Sequence, residues 1–331
     1  MTSDEDPPSI YVAHDLDDLF NALPTFLGFK PEESIVAVAT HGPRRRFGFR
    51  LRIDVPTAFA DAPKAAGEVL YHLHRHRPDG VLVLALTSRQ DIARAVLAGI
   101  EAGLGQIEPV AIARSDGRRY WVDDVPEFPE EGIEYETSDH HVAIVSAVAA
   151  GQEILPSREA LAERVAAPSP ELQDELAAVY ADVWSRILGI MGSDPADLIA
   201  AAQADLSETL ERIESGTELE LEQVVTLCVW LNSGEVRDAI WSEHVRPDPR
   251  AWLAPLCRCS RHALELFAPS VLSMTALAAW STGNGALALM AADRATAIDP
   301  DHPLALTMLA LLTEGVPPPS WQEREERRKA G

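Results

Sequence analysis

Hydrophobic residues near the start of the chain recur with the spacing of an amphipathic helix. In "DLDDLFNALPTFLGF", residues 15–29, the apolar positions fall at i, i+3, i+4 and i+7, and they are Leu16, Leu19, Phe20 and Leu23. Pro24 is expected to kink or end the regular turns, and Gly28 suits a left-handed stop. The pattern predicts an N-terminal helix with one buried face.

Two short apolar runs predict buried strands. Residues 34–40 read "SIVAVAT" and residues 80–87 read "GVLVLALT", and both have the length of a strand rather than of a helix. After the second run, Ser88 is placed to cap a helix that carries Asp91 in its first turn.

Residues 46–55 alternate between apolar and polar side chains, which predicts a half-buried strand. Strict alternation assigns the apolar face to Phe47, Phe49, Leu51, Ile53 and Val55. It assigns the outward face to Arg46, Arg50, Arg52 and Asp54, with Arg44 and Arg45 at the mouth of the strand. We therefore expect a basic surface on an otherwise acidic protein.

Strand and helix patterns alternate through the first 125 residues. A helix is expected over roughly residues 57–76, and "QIEPVAIARSDGRRYWV" predicts two strands joined at Asp116-Gly117, a dipeptide suited to a tight hairpin. Strands separated by helices predict an α/β N-terminal domain, a small mixed sheet with flanking helices.

Strand patterns nearly vanish after Ser138, and helical windows follow one another to about residue 315. Proline at a first helical position follows a capping side chain at Ser169-Pro170 and again at Asp194-Pro195. Near the end, Gly283, Ala288, Ala295 and Pro300 have the spacing of half a tetratricopeptide unit, in which small residues let two helices touch. These patterns predict an all-α, tetratricopeptide-like C-terminal domain with irregular members.

Composition shifts and prolyl loops divide the chain into five expected segments. They are a disordered acidic N-terminus (1–9), the α/β domain (10–125), a loop and connecting helix (126–156), the helical domain (157–316) and a charged tail (317–331).

Several blocks of sequence together resemble a known family. They are "DLDDLFNALPTFLGFKPEESIVAVAT", "LRIDVP", "ILPSREALAERVA", "VRDAIW" and "AAWSTGNGALALMAADRATAIDPDHPLA". In this order they resemble the actinobacterial family catalogued as domain of unknown function 4192, over about residues 15 to 320. The resemblance implies an actinobacterial cytoplasmic protein and carries over no activity.

Charge and cysteine content limit the classes of function. The 331 residues include 52 acidic and 28 basic side chains, a formal net charge of -24, which disfavours nucleic acid and anionic lipid as partners. The N-terminus lacks the pattern of a signal peptide, and the apolar runs are too short to span a membrane. With three cysteines, a disulfide framework is not expected, and we expect a cytoplasmic location.

Guanidinium groups on one strand are suited to binding carboxylates or phosphates. The carboxyl ends of strands in α/β sheets are also where ligands bind, which points to Thr40, His41, Thr87, Ser88 and Arg89. The anion-binding candidates are therefore Arg46, Arg50, Arg52, His41 and Arg89, with Asp54 as a candidate acid or base. The alternative is that the chain's own carboxylates neutralise these arginines.

Metal binding is the weaker interpretation of the histidines and cysteines. His72 and His76 are four residues apart, but a helix C-terminus also favours histidine. "CRCSRH", residues 257–262, lacks the second pair of ligands that a structural zinc site needs, and Cys257, Cys259 and Cys228 suit a helical core. We expect neither a metal nor another cofactor.

Two hypotheses for function follow. The first is a protein-interaction or adaptor role that uses the helical array, because no catalytic motif is present. The second is that the α/β domain binds a small anionic ligand, a nucleotide or phosphometabolite, with or without catalysis. The oligomeric state is left open.

Overall fold

A computed structural model describes residue 13, residues 15–190 and residues 195–318, without the side chains of residues 195 and 196. The chain divides into two compact units, Met1–Arg158 and Glu159–Gly331. The expected disordered segment 1–9, and the expected tail from residue 319 onward, lie outside the described residues.

The first unit is an α/β fold built on one mixed sheet. Its elements are α1 (Leu16–Leu27), β1 (Ser34–His41), β2 (Arg46–Asp54), α2 (Ala62–His76), β3 (Gly80–Leu86), α3 (Gln90–Gly103), β4 (Glu108–Ser115), β5 (Arg119–Trp121), β6 (Ile133–Glu134) and α4 (Val142–Ala149). The strand order is β2-β1-β3-β4-β5-β6. Strands β3 and β4 are parallel and joined through α3, and the other neighbours are antiparallel. The predicted fold class of this half is confirmed.

Helices cover both faces of the sheet. Helices α2 and α3 pack with Val83 of β3 on one face, and α1 packs with Leu84 of the same strand on the other. Because successive side chains of a strand point to opposite faces, two neighbouring residues enter two different cores. Strands β1 and β3 are consequently buried on both faces, which explains their almost uninterrupted apolar sequences.

Capping residues determine where α1 begins and ends. The side chain of Asp15 accepts a hydrogen bond from the Asp18 backbone N–H at 2.9 Å, and Gly28 ends the helix at φ 79° as predicted. Pro24 does not end the helix, which continues to Leu27, because the Gly28 N–H donates to the Pro24 carbonyl and closes the last turn.

Turn chemistry also explains the β4–β5 hairpin. Gly117 has φ 91°, and the Asp116 carboxylate accepts hydrogen bonds from the N–H groups of Arg118 and Arg119 at 2.8 and 2.7 Å. The predicted hairpin at this dipeptide is confirmed. The sheet also continues past residue 125, since β6 pairs with β5.

The second unit is helical. Its elements are α5 (Arg158–Glu163), α6 (Pro170–Ile190), α7 (Pro195–Glu214), α8 (Leu221–Trp230), α9 (Gly234–Ile240), α10 (Pro249–His262), α11 (Ala268–Ser281), α12 (Gly285–Ile298) and α13 (Pro303–Thr313), with a π-helical turn at Trp241–Val245. Helix α6 begins where Ser169-Pro170 predicted, with the Ser169 hydroxyl accepting from the Leu172 N–H at 3.3 Å. Asp194, the other expected cap, lies outside the described residues.

Small residues allow close contact between α11 and α12. Gly283 adopts φ 86° in the turn between them, and Ala288 and Ala295 are fully buried. The predicted helical C-terminal half is confirmed, whereas its tetratricopeptide-like character remains a prediction.

Candidate functional site

A β-bulge changes which face each side chain of β2 occupies. Between Phe47 and Arg50, β2 contains one residue more than the facing stretch of β1. Phe47 consequently contacts Phe26 of α1, with ring centroids 5.1 Å apart, whereas Phe49 stacks at 3.9 Å on His76 of α2. The two phenylalanines lie on opposite faces of the sheet. The expectation that they share one face is wrong, because one extra residue inverts the alternation.

Arg50 and Arg52 lie on the face covered by α1, where the protein's own groups surround them. The Arg50 guanidinium lies 5.2 Å from the centroid of the Phe26 ring, and burial lowers its pKa. Arg52 donates through Nε to Ser34 Oγ at 2.9 Å and forms an ion pair with Asp54 at 2.8 Å. The Arg52 side chain is only 14% exposed. These two candidates are engaged within the fold and do not form an open cationic surface.

Arg46 and His41 lie beyond the bulge, where they oppose each other across the β1–β2 ladder. The His41 ring covers Gly48 so closely that a Cβ atom on Gly48 would lie 2.7 Å from His41 Cδ2. Arg46 is exposed, and the neighbouring Arg45 forms a 2.6 Å ion pair with Glu108. The bulge therefore separates the strand arginines into two groups.

Arg89 holds an internal carboxylate at the carboxyl end of β3. It donates to Glu33 Oε2 through Nε at 2.9 Å and through Nη2 at 2.7 Å, and Nη1 donates to the Pro56 carbonyl at 2.6 Å. The Thr87 hydroxyl donates to the same Glu33 oxygen at 2.6 Å, and Ser88 donates its N–H and hydroxyl to the other. The sequence pointed to the turn of residues 87–89 and missed Glu33, which lies 54 or more residues away.

These contacts perturb the ionisation of Glu33. Burial raises the pKa of its carboxyl group, but hydrogen bonds from Thr87, Ser88 and Arg89 together outweigh burial and lower the pKa to about 2. The Ser88 hydroxyl donates to Glu33, so it does not cap α3 as predicted, and the helix begins at Gln90 instead. The turn is therefore competent to bind an anionic group, and the protein supplies that group itself.

The histidines of α2 pack against an aromatic ring. His76 stacks on Phe49, and burial, followed by the charges of His72, Arg75 and His41, lowers the pKa of His76. In the part of the chain that the structure describes, no group of three or more His, Cys, Asp or Glu residues is arranged to hold a metal.

The cysteines lie in the helical core. Cys257, Cys259 and Cys228 are all buried, and Cys228 Sγ lies 3.7 Å from the Cys259 carbonyl oxygen. His262 directs Nδ1 to the Arg258 carbonyl oxygen at 2.8 Å. Close packing of small side chains accounts for these residues.

A buried ion pair forms beside α3, and sequence reasoning did not find it. The Arg114 side chain, 4% exposed, donates to both carboxylate oxygens of Asp123, at 2.9 and 3.1 Å, and lies 4.8 Å from the Trp121 ring. Arg94 of α3 donates to Asp123 at 3.1 Å. Burial raises the pKa of Asp123, but the two arginines outweigh it and the pKa is lowered. The alternation of β4 contained a signal, because Arg114 interrupts an apolar strand.

A groove of about 610 Å³ lies next to this ion pair. Its lining comprises Arg94, Leu97, Ala98, Glu101, Pro109, Val110, Ala111, Ile112, Val122, Asp123, Asp124 and Val125. The groove therefore runs between α3, the first half of β4 and the segment that follows β5.

The helical unit exposes apolar side chains on α6. Trp184 and Leu188, one turn apart, are 40% and 53% exposed. The adjacent face of the same helix buries Tyr180, Val183 and Ile187. Trp184 also contacts Phe267, with ring centroids 6.1 Å apart, so the exposed indole rests on a packed ring.

Comparison with protein families agrees with the resemblance noted in the sequence. The model of the family described as Domain of unknown function (DUF4192) matches residues 17–319. The chain belongs to this family. Searches of curated proteins and of solved structures find no match. Among the described residues of this family member, no helix has the length and apolar character needed to cross a membrane.

Proposed function

We propose that this protein is a cytoplasmic protein-binding module, with a docking surface on its helical unit. The observation that carries the proposal is the exposed Trp184–Leu188 pair on α6. Tryptophan is among the residue types that contribute most to binding energy at interfaces. Covering an exposed apolar pair with a partner removes apolar surface from water, which favours binding.

The local packing supports this role. Trp184 contacts Phe267, which is itself buried and stacked on Tyr180 at 4.8 Å. This contact restricts the indole on one side, and a side chain restricted before binding loses less conformational entropy when a partner binds. The surface is thus organised before any partner arrives.

Substitution of one exposed leucine tests the proposal against a matched control. Partners are captured from the source cell by cross-linking, identified, purified, and titrated calorimetrically with wild type, Leu188→Glu and Leu306→Glu. Leu306 is 44% exposed on α13 and receives the same change. We expect binding to weaken at least tenfold for Leu188→Glu and to stay within twofold for Leu306→Glu. A partner that binds Leu188→Glu as tightly as wild type would show that the Trp184–Leu188 surface is not its binding site.

Anion binding at Arg89 is the second candidate, supported by the carboxylate of Glu33 that the turn already holds. A ligand phosphate or carboxylate would have to replace Glu33. We expect phosphate to raise the melting temperature of Glu33→Ala and not of Glu33→Ala/Arg89→Ala. No stabilisation of the single variant at about 10 mM phosphate, tenfold above a dissociation constant of about 1 mM, would exclude this candidate.

A further inference from the structure

Strand β4 has an open edge along most of its length. On one side it pairs with β3 from Glu108 to Ser115, with a β-bulge at Val110, where β4 contains one residue more than the facing stretch of β3. On the other side β5 pairs only with Arg114 and Ser115. Within the described ranges, no strand pairs with residues 109–113 on that side. The burial of β4 agrees with this arrangement, because Glu108 and Pro109 are exposed, the next three residues are half-buried, and the strand is fully buried only from Ala113 onward.

The direction of the backbone N–H and C=O groups identifies which of them point to the unpaired side of β4. The Ser115 carbonyl accepts from the Thr87 N–H at 2.9 Å, on the β3 side, and the Asp116 N–H donates to the Arg119 carbonyl at 3.1 Å, on the β5 side. These directions alternate along the regular stretch between the bulge and Ser115, so the N–H and C=O of Ile112 point to the open side, while those of Ala111 and Ala113 point to β3. Pro109, which has no N–H, lies near the start of this edge, where proline is tolerated.

The fold itself keeps the edge open. After β5 the chain would continue alongside β4, but Arg114 and Arg94 hold Asp123 beside α3. The next residue, Asp124, has φ 61°, a left-handed conformation that does not continue a β-strand. The contacts of Asp123 therefore leave the edge of β4 next to Ile112 unpaired. Unpaired backbone groups at a sheet edge are a template for an added strand.

The groove beside the edge is lined by apolar and acidic side chains. The larger apolar lining residues are Leu97, Val110, Ile112, Val122 and Val125, and Ala98, Pro109 and Ala111 complete the apolar set. Of the three lining carboxylates, Asp123 is shared by two arginines, which leaves Glu101 and Asp124 opposite no further basic lining residue. Charge complementarity therefore favours a basic partner.

We propose that the β4 edge binds an extended segment of a partner protein as an added strand, with apolar side chains alternating with lysine or arginine. Backbone hydrogen bonds to Ile112 provide the pairing. The apolar side chains contact Val110 and Val122 on the face of the sheet that carries α1, and the basic side chains, which point to the opposite face, reach Glu101 of α3. This site belongs to the α/β unit and does not depend on the α6 surface.

A synthetic peptide tests the proposal with the full-length protein. The probe is blocked Lys-Val-Lys-Val-Lys-Val-Lys labelled with fluorescein, and binding is followed by fluorescence anisotropy. In two further probes, the backbone nitrogens of either all the valines or all the lysines carry N-methyl groups. A bound peptide strand would turn only one of these two sets of N–H groups towards β4. We therefore expect one methylated peptide to lose at least tenfold in affinity and the other to keep binding.

Protein variants locate the peptide. Glu101→Lys should weaken binding at least fivefold, whereas Glu68→Lys, the same change at an exposed position of α2, should change it less than twofold. Leu188→Glu should leave it unchanged, which separates this site from the helical surface. Saturating peptide should slow hydrogen exchange of the Ile112 amide at least tenfold.

Three results would overturn the proposal. One is the absence of saturable binding. Another is binding that responds equally to Glu101→Lys and Glu68→Lys, since it would then follow net charge alone. The last is a dimer in light scattering that protects the Ile112 amide and excludes the peptide, since the occupant would then be a second copy of this chain.

Discussion

Arg89 and Glu33 form a forked contact in which Nε and Nη2 of the guanidinium both donate to one carboxylate oxygen, at 2.9 and 2.7 Å. The contact joins the residue just before β1 to the turn after β3. It places a negative charge of the protein where α/β folds commonly bind an anionic ligand. Glu33 also adopts φ 44°, so its backbone conformation is unusual for a residue with a side chain.

Removing the charge of Glu33 should destabilise the protein and change its response to acid. The folded state binds a proton on Glu33 less readily than the unfolded state, because its pKa falls from 4.5 to about 2. The stabilisation is therefore complete above pH 4.5 and is lost as the pH falls towards 2. Since the side chain is 42% exposed, we expect Glu33→Gln to cost only about 1 kcal/mol at pH 7.

Urea unfolding of wild type and Glu33→Gln at pH 7 and pH 3 measures this effect. The exposed neighbour Glu32 provides the control as Glu32→Gln. The difference between wild type and Glu33→Gln should shrink at pH 3. A difference that is equal at both pH values would contradict the assigned ionisation.

The ion pair of Arg114 and Asp123 should be sensitive to a neutral substitution. Asp123→Asn leaves the guanidinium of Arg114, whose side chain is 4% exposed, without its countercharge, and we expect a loss of about 2 kcal/mol. Asp124→Asn removes the same charge one residue later, where the side chain is exposed and asparagine tolerates the left-handed backbone. We expect less than about 0.5 kcal/mol there. Chemical denaturation compares the two, and equal losses would refute the special role of Asp123.

A methyl group at Gly48 should disturb the ring of His41. The added Cβ would lie 2.7 Å from His41 Cδ2, so the ring must move, and we expect Gly48→Ala to cost about 1 kcal/mol. Gly67→Ala on α2 meets no atom within 4 Å and should stabilise the helix by about 0.5–1 kcal/mol. Thermal unfolding distinguishes the two signs. If the cost comes from His41, it should disappear in a His41→Ala background, and an undiminished cost there would rule out the contact.

Buried His302 should make the helical unit sensitive to mild acid. Its ring nitrogens lie 3.3 and 3.2 Å from the hydroxyls of Ser270 and Ser273, and Nδ1 accepts from the Ala305 N–H to cap α13. Burial first, and then the charge of Arg237, lower its pKa, which the nearby Asp299 only partly offsets. The unfolded state therefore takes up the proton more readily, and stability is lost as the pH falls below about 6.5.

The variant His302→Asn can keep the cap without a titrating ring. The fall in melting temperature between pH 7 and pH 5.5 should be smaller in His302→Asn than in wild type. Exposed His140→Asn serves as the control and should behave like wild type. An unchanged pH dependence in His302→Asn would assign the effect to other groups.

Elements that depend on near neighbours in the chain were predictable from the sequence. The left-handed stop at Gly28, the hairpin at Asp116-Gly117 and the start of α6 after Ser169 all follow from contacts within a few residues. The change from an α/β half to a helical half follows from the period of the apolar residues. Pro24 shows the limit of such local prediction. The sequence suggested that this proline would kink or end α1, but the helix continues to Leu27.

The arrangement of the candidate sites required the folded chain. A single extra residue in β2 moved Phe47 to the face opposite Phe49, and alternation alone cannot indicate such a bulge. Glu33 meets Arg89 only because β1 and β3 are neighbours in the sheet. The open edge of β4 likewise depends on where Asp123 is held. Each of these features rests on contacts between residues distant in sequence, and the free energy of such contacts has no counterpart in local periodicity or composition.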